Sequence, residues 1–144
     1  MIRVMTEEDV EKVYDIAAGS FSDPWSMKLY ADSVKNEYDY NIVCEKDGEI
    51  AAFAILSVGP DVADIADIAV DEKYRKNGIA DSLMNAMIDY ANKQGVYEFA
   101  LEVRKSNAPA ISLYKKYEFE VEAVRKRYYK NPEEDALIMF RRKR

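Results

Sequence analysis

An apolar strand that runs into a short basic glycine turn and then a long amphipathic helix constrains this chain more than any other segment. The stretch reads Ile68-Ala69-Val70-Asp71-Glu72-Lys73-Tyr74-Arg75-Lys76-Asn77-Gly78-Ile79-Ala80. The strand is expected over residues 62–70, with imperfect alternation that points to a bulge. The helix is expected over residues 78–94. On it Ile79, Leu83, Met87 and Tyr90 make one apolar stripe, with Ala80, Met84, Ile88 and Ala91 beside it. Gly95 closes it. The first N–H groups of such a helix lack internal partners and sit at the positive end of its dipole. That geometry suits an anion such as a pyrophosphate. Gly78 and Ala80 let a phosphate approach the backbone, and Arg75 and Lys76 add positive charge. Neither the Gly-x-x-x-x-Gly-Lys-Ser/Thr nor the Gly-x-Gly-x-x-Gly pattern is present. On these residues alone, a purely structural helix start explains the segment as well as an anion site does.

The rest of the chain supplies the frame. A short strand over residues 2–5 precedes a helix capped by Thr6, with Val10, Val13, Tyr14 and Ala17 at helical spacing and Gly19 at its end. Ser26 caps a second helix reaching about Lys35. Strands over 40–45 and 49–58 flank Asp47-Gly48, a strong hairpin signal. A strand over 97–103, a helix over 107–116 and strands over 119–128 and 135–141 complete the order β-α-α-β-β-β-α-β-α-β-β. That order implies an α/β fold: one domain over residues 1–144 with a mixed sheet flanked by helices. The strand–helix–strand unit over 62–103 is expected to be a right-handed parallel crossover.

Composition narrows the chemistry. The 144 residues contain no histidine and one cysteine. Ser-His-Asp and Cys-His catalysis are therefore excluded, as are most zinc sites, and no metal is expected. Cys44 lies in an apolar stretch and reads as a small buried strand residue. A general base must then be a carboxylate, a tyrosine, a lysine or a water held by one of these. No apolar run approaches the ~20 residues of a membrane span. No signal-peptide pattern opens the chain, so a cytoplasmic protein is expected. Residues 1–120 hold 13 Lys/Arg and 23 Asp/Glu, a balance of −10, while residues 121–144 hold 8 and 4, a balance of +4. The acidic body disfavours DNA as a ligand and favours a basic substrate. The terminal Arg141-Arg142-Lys143-Arg144 reads as a solvated, frayed end or as a phosphate contact. No segment marks an oligomer interface.

A second informative run is Leu101-Glu102-Val103-Arg104-Lys105-Ser106-Asn107. Glu102 interrupts an apolar strand end, which a solvent-facing carboxylate or a pair with Arg104 also explains. Asn107 before Ala108-Pro109-Ala110 is a good helix N-cap. Tyr114 in Ile111-Ser112-Leu113-Tyr114 fits an amphipathic core position. Trp25, Tyr128 and Tyr129 are equally compatible with ordinary packing.

Taken together, these runs resemble a known family. Arg75-x-x-Gly78-x-Ala80 after Ile68-Ala69-Val70 is similar to the acetyl-CoA motif of the GNAT acetyltransferases. Leu101-Glu102-Val103-Arg104-x-Ser106-Asn107-x-x-Ala110-x-x-Leu113-Tyr114 resembles the RimI branch, which acetylates the N-terminal alanine of ribosomal protein S18. Pro24-Trp25-Ser26, Arg125-Lys126-x-Tyr128-Tyr129 and Pro132-x-Glu134-Asp135-Ala136 extend that resemblance across nearly the whole chain. It implies a GNAT-like single domain with a mostly antiparallel sheet. It implies acetyl-CoA as co-substrate, with Ile68, Ala69 and Val70 along the pantetheine. Arg75, Lys76, Asn77, Gly78, Ile79, Ala80 and Asp81 would sit at the phosphates, and Asn107 would be a further CoA contact. Glu102 would be the general base, Tyr114 the general acid, and a backbone N–H near Val70 the oxyanion donor. Trp25, Tyr128 and Tyr129 would line the acceptor entrance. The acceptor would be the basic N-terminus of ribosomal protein S18; another amine, or a CoA-binding module without activity, are the alternatives. One departure stands out: the family usually places Gly where this chain has Glu118, after Tyr114-Lys115-Lys116-Tyr117. Either Glu118 is strained or the helix ends differently.

Overall fold

A computed structural model describes residues 1–143. Seven strands form one sheet in the order β1-β2-β3-β4-β5-β7-β6. They are β1 (Ile2–Val4), β2 (Asp39–Lys46), β3 (Glu49–Val58), β4 (Val62–Val70), β5 (Glu98–Arg104), β6 (Glu120–Tyr129) and β7 (Glu134–Arg141). The helices are α1 (Val10–Ser20), α2 (Met27–Val34), α3 (Ile79–Lys93) and α4 (Ala108–Lys116). Every neighbouring pair is antiparallel except β4 with β5. The element order matches the sequence-based expectation, with short 3-10 turns added at Glu7–Asp9 and Glu72–Tyr74.

Local chemistry explains most boundaries. Asp47 and Gly48 both take positive φ, 54° and 78°, which is what a two-residue hairpin turn demands. The Ser26 hydroxyl accepts from Leu29 N at 3.1 Å and starts α2. Gly95, at φ 81°, ends α3, and Val96 N donates back to Ala91 O at 2.9 Å. One expectation fails: Gly19 does not end α1, which continues to Ser20 and hands over to an extended Phe21. The Ser20 hydroxyl donates to Ile16 O at 2.8 Å, satisfying a carbonyl in that last turn without a left-handed residue.

The core has two layers, one on each face of the sheet. On the α3/α4 face Leu56, Leu83, Met87, Phe99, Leu101, Phe119 and Met139 are buried, and Tyr114 lies among them. On the α1/α2 face Met5, Val13, Ile16, Tyr30, Phe53 and Ile55 are buried. Cys44 is buried as expected. Among the described residues no helix is long and apolar enough to cross a membrane.

Glu118 takes φ 71°, the left-handed conformation that glycine adopts most easily. Glu118 N donates to Lys115 O at 3.0 Å and Phe119 N to Tyr114 O at 3.1 Å, so α4 ends in the usual glycine-type way with a strained glutamate. The basic end is not frayed as far as Lys143. Arg142 pairs with Glu122 at 2.5 Å and reaches Glu98, and Lys143 N donates to Glu98 at 3.2 Å. Arg144 lies outside the described residues.

Candidate active site

The site exists because β4 and β5 part company. They pair only over Val62 with Glu98, Ala63 with Phe99 and Asp64 with Ala100. Beyond that point both strands continue without pairing to each other, and a cleft of about 770 Å³ opens between them. Its walls come from β4, β5, residues 20–25, one side of α4 and the β6–β7 hairpin. Asp71 N donates to Ala51 O at 2.8 Å, on the β3 side. By strand alternation the backbone groups of Ile68 and Val70 therefore turn the other way, into the gap. Arg75 Nε donates to Val70 O at 3.0 Å from that side.

A bulge decides which side chains reach which face. Ile55 pairs with Asp67 but Leu56 pairs with Ile65, leaving Ala66 as the extra residue. Ile65 packs on the α3/α4 face, and so do Ile68 and Val70. Asp67, opposite Ile55, falls on the α1/α2 face with Ala69. On β5, Leu101 and Val103 belong to the α3/α4 face, so Glu102 points to the α1/α2 face. Asp67 and Glu102 thus share one face of the split, while Tyr114 approaches from the other.

Glu102 does not pair with Arg104. Its carboxylate faces Arg125 Nη1 at 3.3 Å. Arg104 is committed elsewhere: it pairs with Glu134 at 3.1 Å, donates to Pro132 O, Lys130 O and the Ser22 hydroxyl, and lies 4.5 Å from the Tyr129 ring centre. It ties β5, the loop before α2 and the β6–β7 hairpin into one wall. Glu134 also accepts from Ser106 N at 2.7 Å, and its carboxyl is held below its usual range by Ser106 and Arg104.

Tyr114 is buried with its ring 5.9 Å from that of Phe119, and it lines the cleft. Burial first, then the charge of Asp67 and the neighbouring Tyr129, push its hydroxyl above the ordinary tyrosine value. Asn107 is the N-cap of α4: its Oδ1 accepts from Ala110 N at 3.3 Å, and the residue also borders the cleft. Trp25, Tyr128 and Tyr129 all line the same cleft. Trp25 stacks on Tyr30 at 5.2 Å, and Tyr128 meets Tyr129 edge-on at 5.1 Å. Tyr129 is pushed up to about 12 by burial and then by Glu102 and Tyr128.

The glycine turn lies at the end of β4. Gly78 is the N-cap of α3 at φ 76°, and Lys76 is also left-handed at φ 65°. Apart from its chain neighbours no protein atom lies within 4 Å of where a Gly78 Cβ would stand, so conformation and not crowding by the protein calls for glycine there. The Asn77 amide donates to Tyr74 O at 3.1 Å and to Arg75 O at 3.3 Å, bracing the turn. The Asp81 carboxylate is paired with Lys116 and accepts from the Tyr117 hydroxyl at 2.9 Å, which ties the first turn of α3 to the end of α4. Ile79, Ala80 and Asp81 contribute the first amides of α3.

Residues 10–119 match the Acetyltransferase (GNAT) family. The chain belongs to the GNAT acetyltransferase family. As such it is an acetyl-CoA-dependent N-acetyltransferase. It is 38% identical over 133 residues to the [ribosomal protein bS18]-alanine N-acetyltransferase of Escherichia coli (strain K12), covering 91% of this chain and 89% of that one. Its fold superposes on the crystal structure of the ribosomal-protein-S18-alanine N-acetyltransferase from Escherichia coli with a TM-score of 0.90 at 37% identity, covering 97% and 91% of the two chains. Ard1 from Thermoplasma volcanium is similar at a TM-score of 0.91 and 32% identity, covering 98% and 95%.

The GNAT turn in this chain has the donor chemistry for a pyrophosphate: the first amides of α3, the open φ of Gly78 and the Lys76 ammonium. Arg75 has a different occupation, holding the Val70 carbonyl and reaching the Ser20 hydroxyl at 3.3 Å. Sequence reasoning missed Asp67, Tyr30 and Arg125. The Tyr30 hydroxyl donates to Asp67 Oδ2 at 2.6 Å. Burial lifts the Asp67 carboxyl to about 6 against the opposing effect of that bond and of the Ile68 amide. The available signal was the pair Asp64 and Asp67 inside an otherwise apolar strand.

Proposed function

We propose that this enzyme acetylates a protein N-terminus, with the N-terminal alanine of ribosomal protein S18 as its acceptor. The observation that carries the reading is the through-sheet opening between β4 and β5. Tyr114, Glu102, Trp25, Tyr128 and Tyr129 all line it, with Tyr114 packed in the α3/α4 layer and Trp25 in the α1/α2 layer. An open-ended, aromatic-walled cleft suits the end of a peptide. The similarity to S18-alanine acetyltransferases supports the choice of acceptor. A ribosomal-protein acceptor also fits a cytoplasmic enzyme.

In this reading Ile68, Ala69 and Val70 flank the pantetheine, Lys76 to Asp81 hold the phosphates, and Asn107 adds a contact. An α-ammonium has a pKa of roughly 7.7–8.0, so much of it carries no free electron pair at neutral pH. Glu102 takes one proton, directly or through a water, and passes it to solvent. The amine nitrogen then forms a bond to the acetyl carbon while Val70 N–H stabilises the oxyanion. The C–S bond breaks, and Tyr114 gives its proton to the departing thiolate. The second amine proton, released as the amide forms, balances that donation. Direct transfer needs no enzyme nucleophile, in keeping with a buried Cys44.

The test is mass spectrometry of a peptide carrying the first residues of S18 and an internal lysine, after reaction with acetyl-CoA. Acetyl on the terminal amine is expected. Acetyl confined to the lysine, or no acetylation of any peptide, overturns the reading.

A further inference from the structure

The cleft contains a carboxylate that the mechanism above does not use. Asp67 is half-buried on β4 and borders the cleft. Two other carboxylates of the wall are paired, Glu102 with Arg125 and Glu134 with Arg104, while Asp64 on the same strand is exposed. Among the described residues no cation pairs with Asp67. Among those residues its side-chain partner is neutral, the Tyr30 hydroxyl, which donates to Oδ2 at 2.6 Å. A half-buried anion without a cation is costly to keep unless a positive ligand completes it.

Its position is built by the fold. Asp64 and Ala100 are the last β4–β5 pair. Counting on from there brings Ala66 level with Glu102, and the bulge at Ala66 turns the next residue, Asp67, onto the Glu102 face. Without the extra residue, Asp67 would point to the α3/α4 face with Ile65. A one-residue irregularity therefore delivers a second carboxylate to the side on which Trp25, Tyr128 and Tyr129 stand. Tyr30 holds it there, and Trp25 stacks on Tyr30.

We propose that Asp67 is a substrate-binding residue that receives the ammonium group of the acceptor amine and orients it for Glu102 across the split. The inference rests on the amine-acceptor reading above but adds a residue and a recognition step to it. The division of labour is chemical. Asp67, charged at neutral pH, binds the cationic form by a charge-assisted hydrogen bond. Glu102, already facing Arg125, removes the proton. The ligand class is a primary ammonium at a chain end; an already blocked terminus gains nothing from Asp67.

The experiment compares wild type with Asp67→Asn, which keeps an acceptor oxygen for Tyr30 but loses the charge. The probes are a peptide beginning with alanine and its desamino analogue, in which hydrogen replaces the terminal amine. For the amine peptide, KM is expected to rise about tenfold or more. KM for acetyl-CoA and the inhibition constant of the desamino peptide are expected to stay within about twofold of wild type. Asp67→Ser is the second variant, with the same expected pattern. An unchanged KM for the amine peptide overturns the proposal. So does an equal loss for both peptides, because a merely structural Asp67 does not distinguish them. A wild type that leaves the amine peptide unmodified overturns the peptide-acceptor reading itself, and with it this one.

Discussion

The Glu102 carboxylate faces Arg125, two strands away in sheet order, at 3.3 Å, and not Arg104, its near neighbour on the same strand. The pair is partly exposed, so it orients the carboxylate more than it stabilises the fold. Glu102→Gln keeps the shape and removes the proton acceptor. The expected loss in kcat is on the order of 10²–10⁴-fold, the usual contribution of a positioned base. Calorimetry should find CoA binding unchanged. Undiminished turnover would remove Glu102 from the mechanism.

Tyr114→Phe tests the proton donor. The ring contact with Phe119 survives, so the melting temperature should hardly move. The kcat should fall about 10²-fold or more. Burial, with help from Asp67 and Tyr129, holds the wild-type hydroxyl above its ordinary value. The donor therefore stays protonated through about pH 9, below even the unperturbed tyrosine value of ~10. A pH–rate profile should show no loss up to that point that Tyr114→Phe abolishes.

The half-buried Asp67 also has a measurable effect on stability. Its carboxyl titrates at about 6 in the folded chain, against 3.8 for an unperturbed aspartate. The folded state therefore binds this proton more tightly than the unfolded state. The penalty for the charged form is full above pH 6 and fades as the pH falls from 6 toward 4. Asp67→Asn should stabilise the protein by up to about 3 kcal/mol at pH 7–8 and by less than about 1 kcal/mol at pH 4. Urea melts at the two pH values check the sign. A pH-independent effect would mean that the charge is not the cause.

Glu118→Gly relieves a backbone strain at the end of α4, at a residue that does not line the cleft. A left-handed non-glycine residue costs roughly 1–2 kcal/mol, and the extra freedom of glycine in the unfolded chain offsets part of the gain. The expected stabilisation is about 0.5–1 kcal/mol, a rise in melting temperature of a few degrees, with kcat and both KM values unchanged. Lower stability would show that the glutamate side chain contributes more than its backbone conformation costs.

Local signals made much of this protein legible. Asp47-Gly48, Ser26, Gly95 and Asn107 act within a few residues of themselves, and each marks a boundary where the structure has one. Gly19 misled because a serine back-bond finished the helix in its place. The glycine turn was readable because it is contiguous: strand, turn and helix start follow one another in the chain. Glu102 and Tyr114 stood out through their shared motif with a family, not through any property of the residues taken singly. Arg125, Tyr30 and the pairing of Arg142 with Glu122 and Glu98 were not readable. Each depends on a partner 20 or more residues away.

The sequence by itself determined the strands, the helices, their order and the composition of the glycine turn, since period and capping are local properties. Only the tertiary structure decided what the strand–turn–helix unit opens onto. The gap exists because β4 and β5 stop pairing after Asp64 and Ala100. Asp67 shares a face with Glu102 because of one unpaired residue, Ala66, in the β3–β4 ladder. Alternation along a strand has a period of two, so a single extra residue reverses every side chain beyond it. Whether that residue is extra is settled by the strand next door.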